Sequence, residues 1–232
     1  MFPRNLLMTA TRKKQLMLLA IMASFCIALF GIRIAFTGGI NYFFLNWNLF
    51  LAFLPLLFTS LLALGGEFAE KRWVKIGVLF SWLLFFPNAP YILTDMFHLH
   101  KGSNAPMWFD LILILSYAWT GLIAGFISLY DIERILFKNK SQLTVVILSV
   151  VLIFITAFGI YLGRYLRFNS WDVFNQPGTI LSEIADRFIH PMRHYRTWGM
   201  TLGLGVLLNF IYWSLRMMFA DEKPQIIDQA SA

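Results

Sequence analysis

QLMLLAIMASFCIALFGIRIAF, residues 15–36, is the stretch on which the fold turns. Arg4, Arg12, Lys13 and Lys14 precede it, a layout shared with secretory signal peptides. The apolar core of a signal is roughly 7–15 residues and ends at a small-residue cleavage site. This run continues past Phe30, and further runs follow. It therefore predicts a retained helix, long enough for the roughly 20 apolar residues that a hydrocarbon core about 30 Å thick requires.

Five more runs lie near residues 47–64, 73–86, 111–130, 143–163 and 198–219. Composition agrees: 59% of the 232 residues are apolar and 13% charged, with a mean hydropathy of +0.67, above the balance of a soluble domain. The expected fold is all-α, a polytopic membrane bundle of about six transmembrane helices. Residues 15–219 form one transmembrane domain, 1–14 a basic cytoplasmic N-terminus, and 220–232 a polar cytoplasmic tail without periodicity, expected to be disordered. The +7 net charge is dispersed over span ends, so no nucleic-acid partner is expected. The only cysteine, Cys26, lies inside the first run, which rules out an intrachain disulfide framework.

Orientation follows from the basic residues. With the N-terminus inside, every Lys and Arg falls on inner segments except Arg33, Lys101, Arg164, Arg167, Arg187, Arg193 and Arg196. Cytoplasmic loops are enriched in both types, so both termini are predicted cytoplasmic. Trp47, Trp108 and Trp198 then mark outer span ends and Trp73 and Trp213 inner ones, as suits indoles at headgroup level. Gly121/Gly125, Gly159/Gly163 and Gly199/Gly203 are small-xxx-small pairs, read as helix-packing positions.

The third run departs from the pattern. Its 14 residues rise only about 21 Å at 1.5 Å per residue, less than the bilayer core, before Pro87-Asn88-Ala89-Pro90 intervenes. Prolines lack a donor and disfavour helix in the residue before them, so carbonyls near Leu83 and Phe86 lose their usual partners. A broken third helix is predicted. Irregular backbone at membrane depth persists only when buried in protein or lining a wet cavity. Residues 91–95 therefore either re-enter against the other helices or follow an ordinary helix end capped by Asn88.

Asp95 and His98 come next, sharing a face if Thr94 caps a short interfacial helix. They are the candidate catalytic acid–base pair or metal ligands, with a solvated Asp–His pair as the alternative. His98, His100, His190 and His194 all fall in outer segments, and His190 and His194 have a ligand-compatible spacing interrupted by Pro191. The sequence leaves metal and cofactor unassigned.

Arg164, Arg167, Arg187, Arg193 and Arg196 crowd the outer segment between the last two spans, against the positive-inside bias. Guanidinium groups there can bind phosphate or carboxylate bidentately, as a lipid headgroup or lipid-linked sugar demands. Snorkelling and pairing with Asp95, Asp110 and Asp172 are the alternatives. On the first reading Asn88, Tyr91, Asp110, Arg164, Arg167, Asn169 and Asp172 are candidate substrate-binding residues. The segment 164–197 exceeds ordinary loop length and is expected to be partly helical. Ile180, Leu181, Ile184, Ala185, Phe188 and Ile189 recur at helical spacing, with Glu183, Asp186 and Arg187 opposite, as in an amphipathic surface helix.

FPNAPYILTDMFHL at 86–99, WFDL at 108–111 with WTG at 119–121, and GIYLGRYLRFNSWD at 159–172 together resemble the domain of unknown function 1361 family of bacterial multi-pass membrane proteins, over roughly residues 45–219. The resemblance implies a bacterial plasma-membrane location and a shared outer-face motif set, and no reaction. The chain has no Walker loop, G-x-S-x-G elbow, H-E-x-x-H or CxxC. The resulting expectation is an integral plasma-membrane protein surrounded by membrane lipids. Its outer-face polar site binds or processes an anionic envelope lipid or lipid-linked substrate, and no protein partner is assigned. The alternative is a small transporter or an accessory or structural subunit.

Overall fold

The computed structural model describes residues 10–99 and 105–219; those residues are helical or irregular, with no strand among them. In order they form α1 (Ala10–Thr37), α2 (Phe44–Leu64), α3 (Gly66–Glu70), α4 (Arg72–Phe85), α5 (Asn88–Tyr91), a 3₁₀ segment η1 (Ile92–His98), α6 (Met107–Leu136), α7 (Gln142–Tyr165), α8 (Asp172–Asn175), α9 (Pro177–Ile189) and α10 (Tyr195–Phe219). Six stretches are long and apolar enough to cross a membrane: α1, α2, the stretch Arg72–His98, α6, α7 and α10. Large apolar side chains such as Phe36, Leu57, Phe80, Ile147 and Phe210 stand exposed around the bundle, where only a hydrocarbon surround would accept so much apolar surface. The N-terminal residues 1–9, His100 and the tail 220–232 lie outside the described residues.

Ion pairs reveal which helix ends meet. Arg33 near the end of α1 binds Asp110 at the start of α6, and Arg164 at the end of α7 binds Asp95 in η1. At the opposite end, Arg12 at the start of α1 binds Asp131 late in α6, and Arg216 late in α10 binds Glu133. Asp110 and Asp131 are separated by about 32 Å along α6 at 1.5 Å per residue. The start of α1 and the finish of α10 therefore share one end of the bundle.

The third span is interrupted where the prolines predict, yet its path continues. Phe86 and Pro87 keep right-handed helical dihedrals (φ −57°, ψ −36° and φ −58°, ψ −25°), so α4, α5 and η1 make one 27-residue span. The expected shortfall in length is thus corrected. What changes at the break is the hydrogen bonding. The Ala89 N–H donates to Phe86 O at 3.1 Å, and the Asn88 side-chain amide donates to Phe85 O at 2.9 Å. Ser170, after α7, donates its hydroxyl to Leu84 O at 3.0 Å and accepts from Asn88 at 3.1 Å.

Glycines admit this segment into the bundle. A Cβ on Gly125 would lie 2.6 Å from Ala89 Cβ, and one on Gly159 3.0 Å from Pro87 Cγ. Gly121 and Gly163 likewise face Ile92 and Tyr91, so the pairs on α6 and α7 serve close packing as expected. The Gly199/Gly203 pair does not: both face open space, and α10 approaches α7 through Gly205 against Phe154.

The amphipathic helix expected within residues 178–189 is present as α9, with one correction. Arg187, expected on its polar face, is buried; its guanidinium binds Glu183 Oε2 at 2.6 Å and lies 5.7 Å from the Tyr161 ring centroid. Glu183, one turn earlier, neutralises the charge and allows the stem to pack inward. Leu181, Phe188 and Ile189 are exposed instead, the disposition of a helix lying at a lipid interface.

Candidate functional site

In a 3₁₀ segment residues i and i+3 eclipse. That geometry lines Tyr91 up with Thr94, and Asp95 with His98, across the end of the third span. Asp95 is 1% exposed. One carboxylate oxygen meets Arg164 Nη2 at 2.5 Å, and the other accepts from Asn48 Nδ2 at 2.8 Å. Arg164 Nε donates to Thr94 Oγ1 at 2.8 Å, Thr94 donates to Tyr91 O at 2.6 Å, and the guanidinium sits 4.3 Å from the Tyr91 ring centroid. Thr94 therefore serves as an acceptor for Arg164, not as the helix cap the sequence led us to expect; no side-chain cap bond forms at η1.

The Asp95–His98 pairing is looser. His98 Nδ1 is 4.0 Å from the carboxylate and 3.3 Å from the Asp95 main-chain oxygen. A carbonyl only accepts, so Nδ1 is the donor there, and Nε2 is the lone-pair nitrogen of the neutral ring. The ring packs 5.0 Å from Phe44, and the His98 carbonyl accepts from the Tyr42 hydroxyl at 2.9 Å. Burial, then the Asp110 charge, pushes the Tyr42 phenol up, which keeps it a donor.

Two cavities lie at this end, with lining residues in common. One, of about 480 Å³, is lined by Tyr91, Phe97, His98, Gly163, Arg164, Tyr165, Arg167 and Asn169. The other, of about 320 Å³, shares Tyr91, Gly163 and Asn169 and is otherwise mainly apolar, walled by Trp47, Leu51, Leu83, Ile155, Leu162 and Ile184 among others. Of the candidate residues, Tyr91, His98, Arg164, Arg167 and Asn169 thus share the polar cavity and Asn88 lies on the apolar one. Asp95 sits behind Arg164. Asp110 and Asp172 are on neither wall. Asp110 binds Arg33 at 2.8 Å, with that guanidinium 4.6 Å from the Tyr42 ring centroid. Asp172 accepts from the Asn169 main-chain N–H at 2.7 Å and so holds Asn169 in place.

Arg167 is distinctive. It follows the end of α7 with φ +60°, in a left-handed position usually given to glycine; for a side-chain-bearing residue that costs on the order of 1–3 kcal/mol. It is exposed, and no carboxylate pairs with it among the described residues. Sequence reasoning missed Asn48 and Tyr42. An asparagine inside an apolar span was the available signal for the first; nothing local marked the second.

Beyond the cavities, Asp186 bridges two imidazoles, His194 Nε2 at 2.6 Å and His190 Nδ1 at 2.8 Å. Among the described residues no group of three His, Cys, Asp or Glu could hold a metal. Bonds from His194 and then His190 hold the Asp186 carboxyl below its usual range. A depressed pKa contributes stability above the unfolded value and loses it as the pH falls through the folded one. Below about pH 4 the α9–α10 junction should loosen, read as a change in Trp198 fluorescence against a background with the other tryptophans replaced by phenylalanine. The same acid transition persisting in Asp186→Asn would refute the assignment.

Residues 47–211 match the family described as "Protein of unknown function (DUF1361)". No curated protein matches the chain, and no solved structure does. The matched range contains Asn48 and every candidate residue that the sequence singled out, but not Tyr42.

Proposed function

We propose a function for a chain that belongs to the DUF1361 family of proteins of unknown function and carries six membrane-spanning helices: it binds an anionic lipid or lipid-linked substrate of the cell envelope. The observation that carries this is the polar cavity with Arg164, Arg167 and His98 on its wall, beside an apolar one that shares Tyr91, Gly163 and Asn169 with it. Both volumes reach the small-ligand range of about 300–1,000 Å³. Asp95 neutralises Arg164, so Arg167 supplies the uncompensated charge. A phosphate in the first cavity would take Arg167 bidentately, and its hydrocarbon chain would lie in the second.

In this reading the cavity end faces outward from a bacterial plasma membrane and both termini are cytoplasmic, as the Lys and Arg distribution favours. His98 Nε2 is the group able to take a proton from a bound hydroxyl or water. Asp95, with both oxygens occupied, is a positioning residue.

Native mass spectrometry with phosphatidylglycerol, a polyprenyl phosphate and phosphatidylcholine tests the reading. Arg167→Ala should weaken one of the two anionic ligands about 10- to 100-fold, as loss of a charge-assisted bond implies, with phosphatidylcholine unaffected. Arg167→Gly should weaken it equally while raising the melting temperature, because the left-handed strain is relieved. Equal affinity of wild type and both variants for every ligand would overturn it.

A further inference from the structure

One cavity brings a base and two guanidinium groups together: His98, Arg164 and Arg167 all line the polar space of about 480 Å³. The His98 side chain is 31% exposed and fixed on two sides, by the Asp95 main-chain oxygen at 3.3 Å from Nδ1 and by the Phe44 ring at 5.0 Å. With Nδ1 donating there, Nε2 is the nitrogen that can accept a proton. Arg164 gives Nη2 to Asp95 and Nε to Thr94, which leaves Nη1 without a bond among the described residues. Arg167 is exposed, with no carboxylate paired to it among them. One whole guanidinium fork and one further nitrogen form a donor set for two linked phosphates, since each phosphate presents several acceptor oxygens.

The apolar neighbour points to a lipid as the carrier of those phosphates. It is bounded by α2, the third span, α7 and α9. Ile155, near the middle of α7, lines it and is 45% exposed, and Trp47 and Trp171 on its boundary are 50% and 38% exposed. Its rim therefore reaches the surface of the bundle that hydrocarbon surrounds, where an acyl or prenyl chain can enter sideways.

We propose that this site hydrolyses a lipid diphosphate to the lipid monophosphate and inorganic phosphate, a reaction that rests on the lipid-binding reading above and goes beyond it. Water bonds through its oxygen to the terminal phosphorus while His98 Nε2 takes one of its protons. The bond from that phosphorus to the bridging oxygen breaks, and the bridging oxygen stays with the lipid. Arg164 and Arg167 hold the charge that moves onto the phosphate oxygens. His98 then gives its proton to solvent, so one water is consumed and the protein is unchanged. A diphosphate suits a site with a base alone. Its leaving group is a phosphate with a second pKa of about 6, which departs unprotonated at neutral pH, whereas an alcohol would need an acid to protonate it. No carboxyl group lines the polar cavity among the described residues.

The full chain in detergent is given a polyprenyl diphosphate or, separately, inorganic diphosphate, and released phosphate is measured; native mass spectrometry follows binding of the same lipid. Wild type should release phosphate from the lipid and about tenfold more slowly from inorganic diphosphate, which lacks the chain's binding energy. In His98→Asn the amide can still donate to the Asp95 oxygen but cannot take a proton, so kcat should fall about 100-fold with lipid binding unchanged. His98→Gln should do the same and decides if the first variant does not purify as a monodisperse protein. Arg167→Ala should instead raise KM about 10- to 100-fold, and Lys75→Ala, on the exposed surface, should change nothing. Wild type that binds the lipid diphosphate but releases no phosphate overturns the reaction and leaves lipid binding standing, whereas failure to bind any polyprenyl phosphate removes both. Full activity in the His98 variants, or inorganic diphosphate cleaved as fast as the lipid, also overturns the proposal.

Discussion

Replacing Asp95 with alanine is expected to lower the unfolding free energy by about 3–5 kcal/mol, because it strands a largely buried guanidinium without its counter-ion. Arg164 ends α7, and Asp95 is what ties that end to the third span and, through Asn48, to α2. Two effects compete: removing Asp95 relieves the desolvation of one carboxylate, but it leaves the charge of Arg164 uncompensated in the same low-dielectric place. The second wins unless both charges go together. Asp95→Leu combined with Arg164→Leu should therefore recover most of the loss. Unfolding in mild detergent, followed by intrinsic fluorescence, measures both. A single-variant loss under about 1 kcal/mol, as for exposed pairs, would show that the contact does not hold the helix ends together.

The second large effect is expected at the opposite end. Arg12 is 3% exposed and donates to Asp131 and to Ser60, both at 2.9 Å, while Thr59 also donates to Asp131 at 2.9 Å. Asp131→Ala should again cost about 3–5 kcal/mol. The damage should be local: α1 packs chiefly on α6, so hydrogen exchange over residues 11–20 should accelerate while α7 and α10 stay protected. Lys75→Ala, which breaks a solvent-exposed pair with Glu70 at 2.7 Å, is the control, worth about 0–1 kcal/mol. Unaltered exchange over residues 11–20 in Asp131→Ala would remove the anchoring role.

These pairs also show where a reading of residues reached its limit. Pro87 and Pro90 announced the interruption of the third span, since a missing N–H is a property of the residue itself. The rescue by Ser170 was not legible, because its hydroxyl arrives from a segment about 80 residues away. The Arg-rich outer segment was visible as a departure from the positive-inside bias, and five of its neighbourhood's candidates do share one cavity. Nothing in the sequence singled out Asp131 and Glu133. Folding buries both, Asp131 against Arg12 and Glu133 against Arg216, so that end of the bundle also carries buried ion pairs.

Apolar run length, proline positions and the helical spacing of residues 178–189 are local quantities, and from them the sequence by itself determined six spans, the interruption and the amphipathic helix α9. Which arginine is neutralised and which is free is not local. It depends on which helix ends meet. Only the tertiary structure could set Arg164 against Asp95 and Arg33 against Asp110, and leave Arg167 exposed on a cavity wall with no carboxylate paired to it among the described residues.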